Sequence, residues 1–234
     1  MIKNISPYKI LSIKKKTINS LIFFMLIIIL IGIVYALFLS PPDYIQGDSV
    51  RIMYVHVPSS FIGLGCFAIL GFLSFINLIF KIKILPFVCK SIAPIGFVFS
   101  LVSILTGSLW GKPTWGIWWV WDARLTSMLI LLLFYLTYIL TWKFISDFNL
   151  ANKITSLIAI IGSFNIPIIK YSVDWWNTLH QPSSITLTSA PAIHYKMLIP
   201  LVIMFIGFFI YSIIIFLMKY KTEVIKLKIN KKKK

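Results

Sequence analysis

The chain has 234 residues, 59% of them hydrophobic and 12% charged, with a net charge of +17. An average soluble domain carries about twice that share of charged residues, so these proportions exclude a water-soluble globular protein. The apolar runs fill most of the length and leave no room for a separate soluble domain.

Six runs are each long enough to cross a hydrocarbon core of roughly 30 Å. In lipid every backbone N–H and C=O has to be bonded within its own segment, which favours helices. The reading is an all-α integral membrane protein, one polytopic domain over 1–234, with spans at about 21–39, 59–80, 91–109, 125–142, 154–170 and 197–218. The first run follows Lys14, Lys15 and Lys16 and ends in Leu39-Ser40-Pro41-Pro42 without a small-x-small cleavage site, so it is expected to be a retained span. Ahead of the second run, in Tyr54-Val55-His56-Val57-Pro58, Pro58 suits a first helical turn and His56 is expected just outside the helix. Cys66 near the start of that span and Cys89 beyond its end lie about 35 Å apart along a helix and cannot pair; there is no C-x-x-C.

After the third run comes Trp110-Gly111-Lys112-Pro113-Thr114-Trp115-Gly116-Ile117-Trp118-Trp119-Val120-Trp121-Asp122-Ala123-Arg124. Gly111, Pro113 and Gly116 are expected to break the helix here, giving a tryptophan-rich outer loop between helices 3 and 4. The loop between spans five and six adds Trp175, Trp176 and His180, with His194 further on.

Charge fixes the sidedness. Six crossings put the N-terminus, the 81–90 and 143–153 loops and the C-terminal tail on one side, and these hold 18 of the 23 basic residues. The positive-inside rule makes that side cytoplasmic, or matrix in a mitochondrion. The lysine tail is explained by orientation and by attraction to anionic membrane lipids, and no nucleic-acid role is expected, because no aromatic residues interleave the basic ones. The outer side receives seven of the eight tryptophans, all three histidines and Asp43, Asp48, Asp122 and Asp174.

An aromatic belt at the headgroups accounts for one or two tryptophans, but not for five within twelve positions. Flat indoles on an irregular segment suit a large, flat, conjugated ligand. His56 and His180 flank the segment from two different loops, and neutral imidazole is a common axial ligand of haem iron. Arg51, Lys112 and Arg124 lie on the correct side to meet porphyrin carboxylates, the arginines through a bidentate fork. Asp122 is expected to orient Arg124 or backbone amides, or else to be a solvated loop acid. His194 is read as an interfacial residue. No H-x-x-x-H or H-E-x-x-H spacing supports zinc, and without C-x-x-C-H no covalent haem attachment to this chain is expected.

Trp110-Gly111-Lys112-Pro113 through Trp118-Trp119-Val120-Trp121-Asp122-Ala123-Arg124-Leu125-Thr126 resembles the signature of the haem-handling WWD-motif family of cytochrome c biogenesis. Length, span number, Tyr54-Val55-His56-Val57-Pro58, Ala93-Pro94-Ile95-Gly96 and Asp174-Trp175-Trp176-Asn177-Thr178-Leu179-His180-Gln181 are similar to its short branch, cytochrome c maturation protein C (CcmC). The likeness runs from about residue 41 to residue 200. It implies non-covalent, transient binding of haem b at the outer face of a bacterial inner membrane or a mitochondrial inner membrane, and hand-over to the haem chaperone CcmE. It also implies axial ligation by His56 and His180; haem contact and chaperone docking by the segment that holds Trp110, Trp115, Trp118, Trp119, Trp121, Asp122 and Arg124; and, as partners, the ABC transporter subunits CcmA and CcmB and the small subunit CcmD. Arg51, Trp175 and Trp176 are added to the expected haem site from their position alone. The expected role is haem binding and transfer rather than catalysis by this chain, with lyase-like assistance at most. Two rival readings are a b-type electron-transfer subunit, which generally needs histidines inside spans, and a transmembrane haem exporter, which generally needs polar groups at mid-membrane.

Overall fold

The computed structural model describes residues 7–176, 178–180 and 190–232. Asn177 and Gln181 of the last outer motif, Lys3, and Lys233 and Lys234 of the tail lie outside the described residues. Six stretches among the described residues are long and apolar enough to cross a membrane. Helix α1 (Lys15–Val34) is prolonged by one wider turn to Leu39. Helix α2 (Met53–Phe80) is entered through a tight turn at Asp48–Ile52, and α3 (Leu85–Trp115) and α4 (Ala123–Phe144) follow. The fifth crossing is two helices, α5 (Phe148–Ser163) and α6 (Asn165–Trp175), and α7 (Tyr195–Lys232) closes the chain.

α2 and α3 pack along their length as a central pair; α4 and α5 pack against one side of it, with α6 on α4, and α7 against the other, with α1 on α7. On the first side Phe67 and Leu70 of α2, Ala93 of α3, Leu131 and Tyr135 of α4 and Ala159 of α5 form one buried cluster. On the second, Ala36, Tyr54, Met197, Leu201 and Met204 gather at one end of the bundle. Exposed Phe23, Phe24, Phe72 and Phe75 face outward, as side chains solvated by lipid do.

The helices overrun the expected ends, and three differences matter. First, α2 begins at Met53, so Pro58 lies inside it and His56 is helical rather than in a loop. The helix forgoes the one hydrogen bond that the missing Pro58 amide would make. Second, α3 runs through Gly111 and Pro113 to Trp115. The Thr114 hydroxyl donates to the Trp110 carbonyl at 2.7 Å, and the stop falls at Gly116, whose φ of 79° suits the left-handed position after a helix. The tryptophan-rich segment is therefore half helix end and half a loop over 116–122. Third, the expected single span at 154–170 breaks at Phe164. Pro167 cannot donate to the Ser163 carbonyl, and it sits in the first turn of α6, where no amide is required. Asn165 ties the break to α4 by donating to the Ser127 carbonyl at 2.7 Å.

Charges of the expected inner side have structural partners. Asp147 caps α5 by accepting from the Leu150 amide, and Glu223 of α7 pairs with Lys90 of α3 at 2.8 Å. The motif Ala93-Pro94-Ile95-Gly96 also gains a reason. Tyr135, fully buried, passes over Gly96 and donates to the Gly63 carbonyl at 2.7 Å, tying α4 to α2 across α3. A side chain at Gly96 would occupy the place of the Tyr135 ring. Tyr135→Phe is therefore expected to cost about 1 kcal/mol and Gly96→Val about 3 kcal/mol in detergent unfolding. Equal stability of Gly96→Val and the parent protein would contradict this packing.

Candidate functional site

The site on the expected outer side is organised by the last two turns of α3. Trp110 and Trp115, five residues apart, are separated by about 7.5 Å of helix rise. Trp110 meets the His56 ring edge-on at 5.7 Å, and Trp115 meets the His180 ring edge-on at 4.7 Å. One helix end thus carries an indole against each histidine.

His56 projects from the start of α2 toward α3. Its Nδ1 donates to the Ser103 carbonyl at 3.0 Å, with the Thr106 hydroxyl also in reach at 3.1 Å. A carbonyl oxygen can only accept, so Nδ1 carries the hydrogen and Nε2 keeps its lone pair. Gly107 leaves room for this ring, since a Cβ there would stand 3.0 Å from His56 Cε1. Trp110 is held in turn. Asp43 accepts from the amides of Ile45 and Gln46 at 2.9 and 2.8 Å, and the resulting turn presents Gln46, whose Oε1 accepts from Trp110 Nε1 at 2.8 Å.

His180 is held differently. Its Nδ1 donates to Asp122 Oδ2 at 2.8 Å, and the Asp122 side chain is only 6% exposed. The other oxygen of Asp122 accepts from the Leu125 amide at 2.8 Å, capping α4. Asp122 thus joins a helix start to a histidine 58 residues away. Among the described residues nothing hydrogen-bonds to Nε2 of either ring. Burial draws the His180 pKa below its ordinary 6.5, and the Asp122 charge and hydrogen bond oppose this without reversing it, so the ring is neutral at pH 7. His194 has the opposite arrangement: its Nδ1 accepts from the Lys196 amide at 3.3 Å, which leaves the hydrogen on Nε2.

The remaining expected site residues divide. Arg124 is held by the Ser172 hydroxyl at 3.2 Å and the Lys170 carbonyl at 3.5 Å, not by a hydrogen bond to Asp122, and its charge is felt at both histidines. Trp118 and Trp121 are 54% and 75% exposed. Trp119 packs edge-on against Trp121 at 5.5 Å, and its buried Nε1 has no acceptor among the described residues. Trp175 stacks on Tyr171 at 5.4 Å and meets Trp176 edge-on at 5.7 Å; both tryptophans are exposed at the end of α6. Lys112 donates to the Gly116 carbonyl at 2.9 Å, and its ammonium lies 6.0 Å from the Trp118 ring. Arg51 is occupied elsewhere, paired with Asp48 at 2.9 Å and donating to the Ala36 carbonyl. Sequence reasoning missed Ser103, Thr106 and Gln46, which act only across tertiary contacts. No group of three or more metal-ligating side chains of the His, Cys, Asp and Glu types occurs among the described residues.

The family model for heme exporter protein C (CcmC) matches residues 1–234. Heme exporter protein C of Haemophilus influenzae is 41% identical over 204 residues, covering 87% of this chain and 83% of that protein. Heme exporter protein C of Bradyrhizobium diazoefficiens is 36% identical over 225 residues, covering 96% of this chain and 85% of that protein. A ccmC-like mitochondrial protein of Marchantia polymorpha, named for cytochrome c biosynthesis, is 42% identical over 188 residues, 80% of this chain and 79% of its own.

The His180 pair gives a signed expectation. Asp122 is an influence that raises the His180 pKa, so Asp122→Asn is expected to move it further down. An NMR titration of the ring protons between pH 8 and pH 4 measures the shift, and a pKa that rises in the variant contradicts the pairing. Because the ring prefers to be neutral in the fold, its stabilising contribution is complete above pH 6.5 and is lost as the pH falls toward the depressed value.

Proposed function

This chain belongs to the heme exporter protein C (CcmC) family and is a multi-pass inner-membrane protein with a role in haem handling for cytochrome c maturation; within that role, we propose that it holds haem at the outer rim through His56 and His180 and passes it to a CcmE-type chaperone. One observation carries the reading. Two imidazoles, each edge-on to an indole of the tryptophan-bearing end of α3, donate Nδ1–H within the protein, and among the described residues nothing hydrogen-bonds to Nε2 of either. That is the tautomer in which a histidine presents Nε2 to a metal while a second group fixes the ring.

The surroundings fit a porphyrin held as cargo. Exposed indoles of Trp118, Trp121, Trp175 and Trp176 offer flat apolar faces. Among the described residues the Trp119 Nε1 hydrogen has no acceptor, and a porphyrin carboxylate would supply one. Arg124 brings positive charge beside both histidines, where porphyrin carboxylates need it. The haem is b-type and held without a covalent bond. His56 and His180 would hold the iron of the haem cargo and so keep it from oxygen chemistry, and bond formation to the porphyrin would take place on the chaperone. CcmA, CcmB and CcmD are the partners this reading assigns to an ABC-type complex. This chain supplies position rather than catalysis.

A b-type electron-transfer subunit is the alternative, and the place of His56 inside α2 favours it more than the sequence suggested. The loop position of His180 and the exposed tryptophans beside it favour a cargo site instead. The purified protein is expected to carry six-coordinate, low-spin haem, and His56→Ala or His180→Ala to abolish or strongly shift its spectrum. Unchanged spectra in both variants contradict the ligand assignment. Co-purification with the chaperone, followed by a pyridine-haemochrome assay, is expected to show haem covalently attached to the chaperone. Its absence together with quinol oxidation at a catalytic rate would favour electron transfer.

A further inference from the structure

The two histidines are held by acceptors of unequal strength. His180 donates to a carboxylate oxygen of Asp122, a side chain almost fully buried and locked by the α4 N-terminus. His56 donates to two neutral oxygens that already have other bonds. The Ser103 carbonyl lies inside α3, where it serves the helix ladder, and the Thr106 hydroxyl donates its own hydrogen to the Val102 carbonyl at 2.7 Å. A charged acceptor draws the Nδ1 hydrogen further from the ring than a neutral one and makes Nε2 the better electron donor.

Taking the haem-holding reading above as its premise, we propose that the two axial bonds are inequivalent: His180, backed by Asp122, is the retained ligand, and His56 is the ligand displaced when haem is handed on. In that step the bond between iron and His56 Nε2 breaks and a donor atom of the acceptor protein takes the vacated position. The iron keeps its oxidation state, and Nδ1 of both rings keeps its hydrogen. Asp122 acts as a positioning residue, setting the strength of one axial bond without touching the porphyrin. The Asp that closes the tryptophan signature thereby acquires a specific task, since its two oxygens fix the start of α4 and the basicity of a single ligand.

Carbon monoxide reports which histidine leaves. It binds reduced haem in place of one axial ligand, and its C–O stretching frequency depends on the donor strength of the ligand opposite. The full-length, haem-loaded protein is reduced under carbon monoxide and compared with His56→Ala and Asp122→Asn. The expected wild-type frequency equals that of His56→Ala, in which only His180 remains, and it shifts upward in Asp122→Asn. Asp122→Asn is also expected to loosen haem about 10- to 100-fold. A wild-type frequency different from that of His56→Ala, or unmoved by Asp122→Asn, overturns the proposal. Wild-type protein that binds haem without a six-coordinate spectrum, or binds none, overturns the premise instead, so the two failures are separable.

Discussion

The constraint on which the outer site depends is a matter of two hydrogens. Each of His56 and His180 gives its Nδ1–H to a fixed oxygen, one a helix carbonyl and the other a carboxylate. With those hydrogens committed, the only lone pairs the rings can offer a metal are on Nε2. His194 differs: its Nδ1 accepts from the Lys196 amide, so its hydrogen sits on Nε2. The chemistry of the site therefore follows from which atoms the fold has already used.

The fold meets that constraint with unusually few elements. The end of α3 supplies the Ser103 carbonyl, the Thr106 hydroxyl and the space at Gly107 that seat His56, and four and five residues past Thr106 and Trp110 respectively it supplies the indoles Trp110 and Trp115 that flank both rings. Gly116 then turns the chain, and Asp122 starts α4 while reaching His180. Because the same carboxylate caps a helix and holds the His180 imidazole, the ring's position is as secure as the helix start. The buried layer around Tyr135 includes Cys89 and Ala93 of α3 and packs that helix against α2 and α4.

Much of this was legible in the sequence. Six crossings and the family resemblance follow from apolar run length and the tryptophan motif, and the family match bears out the resemblance. The helix ends were not legible, because a count of apolar residues stops where Trp, Lys and Pro begin, while hydrogen bonding carries α3 on to Trp115 and starts α2 at Met53. The break at Phe164 had a signal in Asn165 and Pro167, hidden inside an apolar run. Of the two roles the sequence offered Asp122, orienting Arg124 or backbone amides, the structure shows the second, with the Leu125 amide; the bond to His180 was not legible, since it spans 58 residues. Ser103, Thr106 and Gln46 gave no local sign, since their roles exist only between elements.

The central claim is that one porphyrin iron is shared by these two rings at the outer rim. The most direct measurement is a cryo-electron microscopy map of the haem-loaded protein in lipid nanodiscs. The account predicts porphyrin density beside Trp110 and Trp115, with iron between Nε2 of His56 and Nε2 of His180. Density with iron bound through Nδ1, through only one of these histidines, or at the lysine-rich side of the membrane would contradict it.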